Sequence, residues 1–251
     1  MRAVTVHHDV LVATSRVYQT TCTAIRAGDE GFLIDSPIFP DELELLPAVL
    51  EQAGFPVSGL LATHGDWDHM LGRLAFPGAA LGVAETTAAH LTAEPGGVQR
   101  ELREWDEEHY VERPKPLSLG QVQALPVPGF IAVGEHEFEV QPADGHTADG
   151  MALWAPWVRV LVCGDYLSPI EIPMLSPSGS RDAYLATLER LRPLVEQAQW
   201  VIPGHGPPID GARAGAVLDE DVRYLTDWEL PPGRRTSAQR EIHELNRERA
   251  T

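Results

Sequence analysis

Residues 63–69 read Thr-His-Gly-Asp-Trp-Asp-His, so His64, Asp66, Asp68 and His69 place four metal-capable side chains within six residues. Imidazole and carboxylate donors together suit Zn, Fe or Mn. The segment follows an apolar run, Leu60–Ala62. A loop leaving a strand end can curl so that alternate side chains converge on one point. The competing reading is the loop before a helix, with the aspartates as caps. Three more positions weaken that alternative. Gly145-His146-Thr147, Gly164-Asp165 and Gly204-His205-Gly206 each follow a predicted strand and set a ligand-type residue beside Gly, which permits tight turns and close backbone approach. Each is weak alone; four strand-end positions in order are hard to explain by chance.

The elements that must carry these residues are short. Val4–Val6, Val10–Ala13, Thr21–Ile25 and Gly31–Asp35 are apolar or β-branched runs between polar turns, which predicts strands. Asp41 is placed to cap a helix through Glu51, ended by Gly54 and Pro56. Strands are predicted at Leu60–Ala62 and Ala80–Ala84, and a short helix at Thr86–Leu91. Residues 95–113 are charged and helical in pattern, whereas 114–130 are rich in Pro and Gly and predict a loop or flap. Strands return at His136–Gln141, Met151–Trp154, Val158–Cys163 and Trp200–Pro203, and helices at Asp182–Glu196, 211–228 and 236–250. Sheets covered by outer helices would bury this mixture. The expected organisation is one domain over residues 1–230, with a helical or flap insertion near 86–130, then a charged helical tail over 231–251.

Composition narrows the partners. Acidic residues number 37 against 19 basic ones, a net charge of −18. Nucleic-acid binders need a basic surface, and so do most proteins that sit on anionic lipid, so neither partner is expected. The excess favours neutral, cationic or metal-bridged small molecules. A hydrophobic content of 43% is too high for disorder, and 22 Gly with 21 Pro predict many turns rather than a helical bundle. Cys22 and Cys163 are too few for a disulfide framework and are expected to be buried thiols in a reducing compartment. No apolar stretch is long enough for a membrane span, and no signal peptide is predicted, so a cytoplasmic location is expected.

Taken in order, His64, Asp66, Asp68, His69, His146, Asp165 and His205 resemble the metallo-β-lactamase superfamily, whose usual pattern is H-x-H-x-D-H followed by a His, an Asp and a His. Leu33-Ile34-Asp35 and Val201–Gly206 are further echoes, and the likeness spans roughly residues 15–225. It implies an α/β fold, the αββα sandwich: two mixed sheets face to face, helices outside, and metals at one edge. It also implies two divalent ions, Zn first, with Fe or Mn as alternatives. By the same likeness His64 and His146 belong to one metal position, and Asp68, His69 and His205 to the other. Asp165 resembles the bridging carboxylate, and Asp35 an aspartate that braces the metal loops.

One position departs: the family's second histidine is Asp66 here. With Asp66 as a ligand, three carboxylates, two divalent ions and one hydroxide sum to zero net charge. Such a site lowers the pKa of water less, attracts anions less, and shifts preference from Zn toward Fe or Mn. Aspartate reaches the metal directly or through water. The resemblance implies a binuclear metallo-hydrolase, and the acidity points to a small neutral ester, thioester or lactone. Asp68 is the candidate to accept the proton of the attacking water or relay it to the leaving group. The alternatives are an iron-dependent oxidoreductase, which Asp66 favours, and a non-catalytic metal-binding member. Trp67 and Tyr166 are weaker candidates for substrate contact, each with a packing role as the alternative. Trp105, His109 and Tyr110 suit either a lid or the buried stripe of a helix.

Overall fold

A computed structural model describes residues 1–250. The first half of the chain lays down β1 (Arg2–His7), β2 (Val10–Thr14), β3 (Thr21–Ala27), β4 (Glu30–Ile34), α1 (Pro40–Ala53), β5 (Gly59–Leu61), α2 (Gly72–Ala75), β6 (Leu81–Ala84), α3 (Glu85–Ala93), α4 (Gly97–Glu108) and β7 (Val122–Leu125). Strands β1 to β7 form one sheet in sequence order, antiparallel up to β4 and parallel beyond it. The second half adds β8 (Gly129–Val133), β9 (His136–Pro142), β10 (Met151–Ala155), β11 (Val160–Val162), α5 (Arg181–Gln197), β12 (Trp200–Ile202), β13 (Ile209–Asp210), α6 (Gly211–Asp227) and α7 (Ser237–Arg249). Its six strands form a second mixed sheet in the order β13-β12-β11-β10-β9-β8.

The two-residue period of a strand sets the layers. In β10, Met151 and Leu153 point into the space between the sheets, and Ala152 and Trp154 point the other way. Between the sheets, Val12, Ile25 and Ile34 meet Phe138, Val140 and Ile202, all essentially inaccessible to solvent. Outside the first sheet, Leu43, Leu46 and Leu50 of α1 pack on Leu33 and Leu60. Outside the second, Leu188 and Leu191 of α5 and Val217 of α6 pack on Leu161 and Val201. The architecture is the αββα sandwich.

Two expectations need correction. Asp41 does not cap α1: Phe39 occupies the cap position, and Asp41 sits in the first turn paired with Arg16 at 2.6 Å. Residues 114–130 are not all loop, because Val122–Leu125 pairs with β6 and residue 129 begins β8. These strands escape a periodicity reading because they are short, half-exposed and at sheet edges. Within the segment near 86–130, Val98 and Leu102 of α4 join the core outside the first sheet, and Trp105 is buried. The charged tail also docks. Gln239 and Asn246 of α7 are buried and accept the backbone N–H groups of Ile172 and Leu175 at 2.6 and 2.8 Å. Thr251, the last residue of the predicted tail, lies outside the described residues. No helix among them is long and apolar enough to cross a membrane.

Candidate metal centre

Five strand ends converge on one edge of the sandwich. Asp35 follows β4, the 64–69 loop follows β5, His146 lies between β9 and β10, Asp165 follows β11, and His205 follows β12. The two sheets are tied there by Thr21, which donates its N–H to the Gly204 carbonyl at 2.8 Å and its hydroxyl to the Pro203 carbonyl at 2.7 Å. Close approach is built into the backbone. A Cβ on Gly204 would lie 2.1 Å from Asp165 Oδ1, and one on Gly145, whose φ is +126°, would lie 2.2 Å from the Tyr184 nitrogen.

The structure brings all seven predicted ligand residues together. His64, Asp66 and His146 offer ligand atoms within 4.8 Å of one another, and so do Asp68, His69 and His205. Asp165 lies between the groups, with Oδ2 at 3.3 Å from His146 Nε2 and 3.2 Å from His205 Nε2, and Oδ1 at 3.2 Å from His69 Nε2. Asp66 Oδ2 is 3.3 Å from His146 Nε2 and 3.7 Å from His64 Nε2, so the departing residue points into the cluster. It occupies the cap position of the short turn Trp67–His69, but its side chain accepts no capping bond and faces the cluster instead.

Hydrogen bonds behind the imidazoles aim them. His146 Nδ1 donates to the Met174 carbonyl at 2.8 Å, and His205 Nδ1 to the Tyr18 carbonyl at 3.1 Å. His69 Nδ1 donates to Asp35 Oδ2 at 3.0 Å. Thr63 gives its hydroxyl proton to Asp35 at 2.9 Å and receives His64 Nδ1–H at 3.1 Å. Each Nδ1 proton is thereby used, and each Nε2 is left to face the cluster. Asp35 is the hub of this support. It also accepts the Thr63 N–H at 2.8 Å, and it holds a left-handed backbone, φ 58°, that is costly for a non-glycine residue.

The residues fit a metal pair. Nε2 of His64, Nε2 of His69 and Oδ1 of Asp165 are buried and make no hydrogen bond of good geometry, although the last two lie 3.2 Å apart as an ion pair. Orphaned donors and acceptors of this kind are costly unless something coordinates them. The electrostatics agree. Burial disfavours charge on these imidazoles, yet the carboxylates outweigh it: Asp165 and Asp66 raise the pKa of His146 to about 9, and Asp165 with Glu171 and Asp68 raises that of His205 to about 10. His69 is raised well above its ordinary value by Asp68, Asp165 and Asp35. Burial likewise opposes ionisation of Asp66 and Asp165, but the surrounding histidines hold both well below the usual carboxylate range. Without metal, protons occupy the places that cations would take.

A cavity of about 290 Å³ opens over the cluster, with Asp66, Asp68 and Asp165 on its floor and Tyr18, Trp67 and Trp105 in its wall. Trp67 therefore meets the cleft while packing against Trp105, the two rings tilted by 36° with centroids 5.0 Å apart. Tyr166 does not. Its ring is buried and its hydroxyl accepts the His146 N–H at 3.1 Å, so it braces the loop from behind and is corrected from a substrate contact to a support. Trp105 is both buried stripe and cleft wall, held by a 2.9 Å bond from its indole N–H to the Tyr18 hydroxyl. Tyr110 is fully exposed and lines no part of this cavity. Asp68 accepts from the Thr20 hydroxyl at 3.2 Å and keeps its carboxylate at the cavity floor. Thr20, Met174 and Glu171 were not foreseen. They act through a backbone carbonyl, a single hydroxyl or a loop position, and none carries a local sequence signature.

Two facing mixed sheets with a His/Asp cluster at one edge define the class of metallo-β-lactamase-fold proteins. The chain belongs to the metallo-β-lactamase superfamily, whose family model matches residues 15–205. Among solved structures, a metallo-beta-lactamase from Pontibacter korlensis is 20% identical, with a TM-score of 0.66 over 90% of this chain and 99% of that one. TTHA1623 in a di-iron-bound form is 24% identical, with a TM-score of 0.63 over 80% of this chain and 95% of that one. The inverting sec-alkylsulfatase Pisa1 from Pseudomonas sp. is 15% identical, with a TM-score of 0.69 over 89% of this chain but 41% of its own. At these identities the likeness is one of fold.

Proposed function

We propose that the protein is a binuclear metal-dependent hydrolase acting on a small ester, thioester or lactone. The observation that carries this reading is the pair of three-donor groups on either side of Asp165 beneath an open cleft, with buried Nε2 and Oδ1 atoms that make no hydrogen bond of good geometry. His64, Asp66 and His146 would hold one ion, Asp68, His69 and His205 the other, and Asp165 both. Zinc is favoured, with iron or manganese as the alternatives that a third carboxylate brings closer. Bound divalent ions supply Lewis acidity and an activated water. The chain supplies the rest. Thr20 orients Asp68, whose carboxylate at the cavity floor is positioned to take a proton from the attacking water and pass it to the leaving group. Trp67 and Trp105 exclude water from one side of the cleft and give an acyl group an apolar surface.

The lack of Lys or Arg in the cavity lining disfavours bare polyanions and agrees with the net acidity. Small-molecule turnover without nucleic acid or membrane, and a cytoplasmic setting, complete the proposal. The test is metal analysis of protein purified without added metal, paired with a chromogenic panel of ester, thioester, lactone, β-lactam and phosphodiester substrates. About two ions per chain and turnover of an acyl substrate are expected. His146→Ala should remove one ion and abolish turnover, and unchanged activity would overturn the assignment. A second reading, an iron-dependent oxidoreductase, rests on the Asp66 carboxylate. It predicts a coloured, iron-loaded preparation that consumes oxygen.

A further inference from the structure

The loop between β11 and α5 puts a carboxylate into the cleft that the metal centre does not use. Glu171 lines the cavity, yet it belongs to none of the groups of ligand atoms close enough to share an ion. Its carboxylate has no hydrogen bond or ion pair among the described residues. Its backbone, by contrast, is fixed. The Glu171 N–H donates to Ser168 Oγ at 3.0 Å, and its carbonyl accepts from Arg234 Nη1 at 2.7 Å. Arg234 cannot neutralise the side chain. It is buried, and its guanidinium is committed to Asp221 at 2.5 Å and Glu220 at 3.1 Å. The same cavity carries Tyr18, Trp67 and Trp105, and no Lys or Arg.

We propose that the cleft selects acyl substrates bearing an ammonium or quaternary ammonium group, with Glu171 as its counter-charge and Tyr18, Trp67 and Trp105 as its aromatic wall. Aromatic rings attract cations through their quadrupole, and quaternary ammonium ligands are bound in this way. Burial penalises the Glu171 charge, and an incoming cation offsets that penalty. Repulsion from a metal pair would not oppose it, because two divalent ions and one hydroxide held by Asp66, Asp68 and Asp165 would sum to no net charge. The proposal rests on the hydrolase reading for its acyl group but not for its cation.

Calorimetric titration of the zinc-loaded full chain with choline and with its uncharged carbon isostere neohexanol tests the cation site without turnover. Choline should bind about tenfold more tightly than the isostere. Glu171→Gln should remove most of that preference with an unchanged circular dichroism spectrum, and Trp67→Leu should reduce it several-fold. Equal affinity for the two alcohols, or a preference that survives Glu171→Gln, would overturn the proposal. Hydrolysis of the corresponding acetyl esters, in which water cleaves the acyl–oxygen bond to give acetate and the alcohol, separates the two readings. Turnover of both esters at equal kcat/KM sinks the cation site and leaves the hydrolase. Choline preference in binding with no turnover of any acyl substrate sinks the hydrolase and leaves the cation site.

Discussion

Loading the metal-free protein with zinc near neutral pH should expel about three protons. Burial works against imidazolium at His146, His205 and His69, but the facing carboxylates prevail, putting the first two pKa values at about 9 and about 10 and the third well above 6.5. All three rings are therefore charged in the empty cluster at neutral pH, whereas a ligating imidazole must be neutral. Asp66 and Asp165 are already ionised and release nothing. Zinc affinity should then rise about tenfold per pH unit at the position of His146 and about a hundredfold at that of His69 and His205 between pH ~7 and ~9, and flatten above the highest of these pKa values. The metal-free fold has the opposite dependence. A pKa raised on folding stabilises most fully below the unfolded value of 6.5, and the stabilisation is lost as pH rises through about 9 to 10, on the order of 3 to 5 kcal/mol for each of His146 and His205. Calorimetric titrations of zinc into the apoprotein, at one pH in buffers of different ionisation enthalpy, count the protons directly. A slope below one proton would show that the rings are neutral before metal arrives, and would refute the electrostatic account of the cluster.

Further substitutions probe single parts of the centre. Asp66→His restores an imidazole at the departing position and should raise zinc affinity about tenfold over iron or manganese; an unchanged metal profile by mass spectrometry would mean that Asp66 does not touch the ion. Asp35→Asn weakens the acceptor that orients His69 and Thr63, and should lower metal affinity about 10- to 100-fold by competition with a chelator while leaving the fold intact. Asn246→Ala leaves the buried Leu175 N–H without its acceptor, and should destabilise the protein by about 1–3 kcal/mol in urea denaturation. Because that loop also carries the Met174 carbonyl that aims His146, the same variant should bind metal more weakly, and unaltered affinity would dissociate α7 from the centre.

Much of the fold and most of the centre are legible in the sequence because both rest on local signals. Short β-branched runs mark the strands, and glycine beside His146, Asp165 and His205 marks places where backbones nearly touch. What escaped has a physical reason in each case. Val122–Leu125 is an edge strand of four residues, half-exposed, and no period of two can register over so short a run. Tyr166 follows a ligand in sequence, but the turn at Gly164, φ +57°, sends its ring inward beneath His146. Glu171 and Met174 depend on a loop whose path is set by Arg234, Gln239 and Asn246, more than sixty residues away. Contacts at that separation leave no pattern along the chain.

Asp66 and Glu171 act on one electrostatic field from two distances. At the proposed metal pair, Asp66 as a third carboxylate ligand would remove the residual positive charge that draws an anionic substrate. In the wall, the Glu171 carboxylate adds attraction for a cation, and no Lys or Arg lines the cavity to cancel it. A positive centre would have drawn the Glu171 carboxylate and a substrate anion alike, and would have repelled an ammonium group held between them. Under the proposed cation site, the departure from the family's usual histidine is the condition that would let a carboxylate this close to the metals serve a cationic ligand. The acidic excess of the chain divides accordingly. Asp35, Asp66, Asp68 and Asp165 are bound into the centre, Glu171 faces the cleft, and residues such as Asp219, Glu189 and Glu220 pair with surface arginines. Only the first two groups bear on what the protein binds.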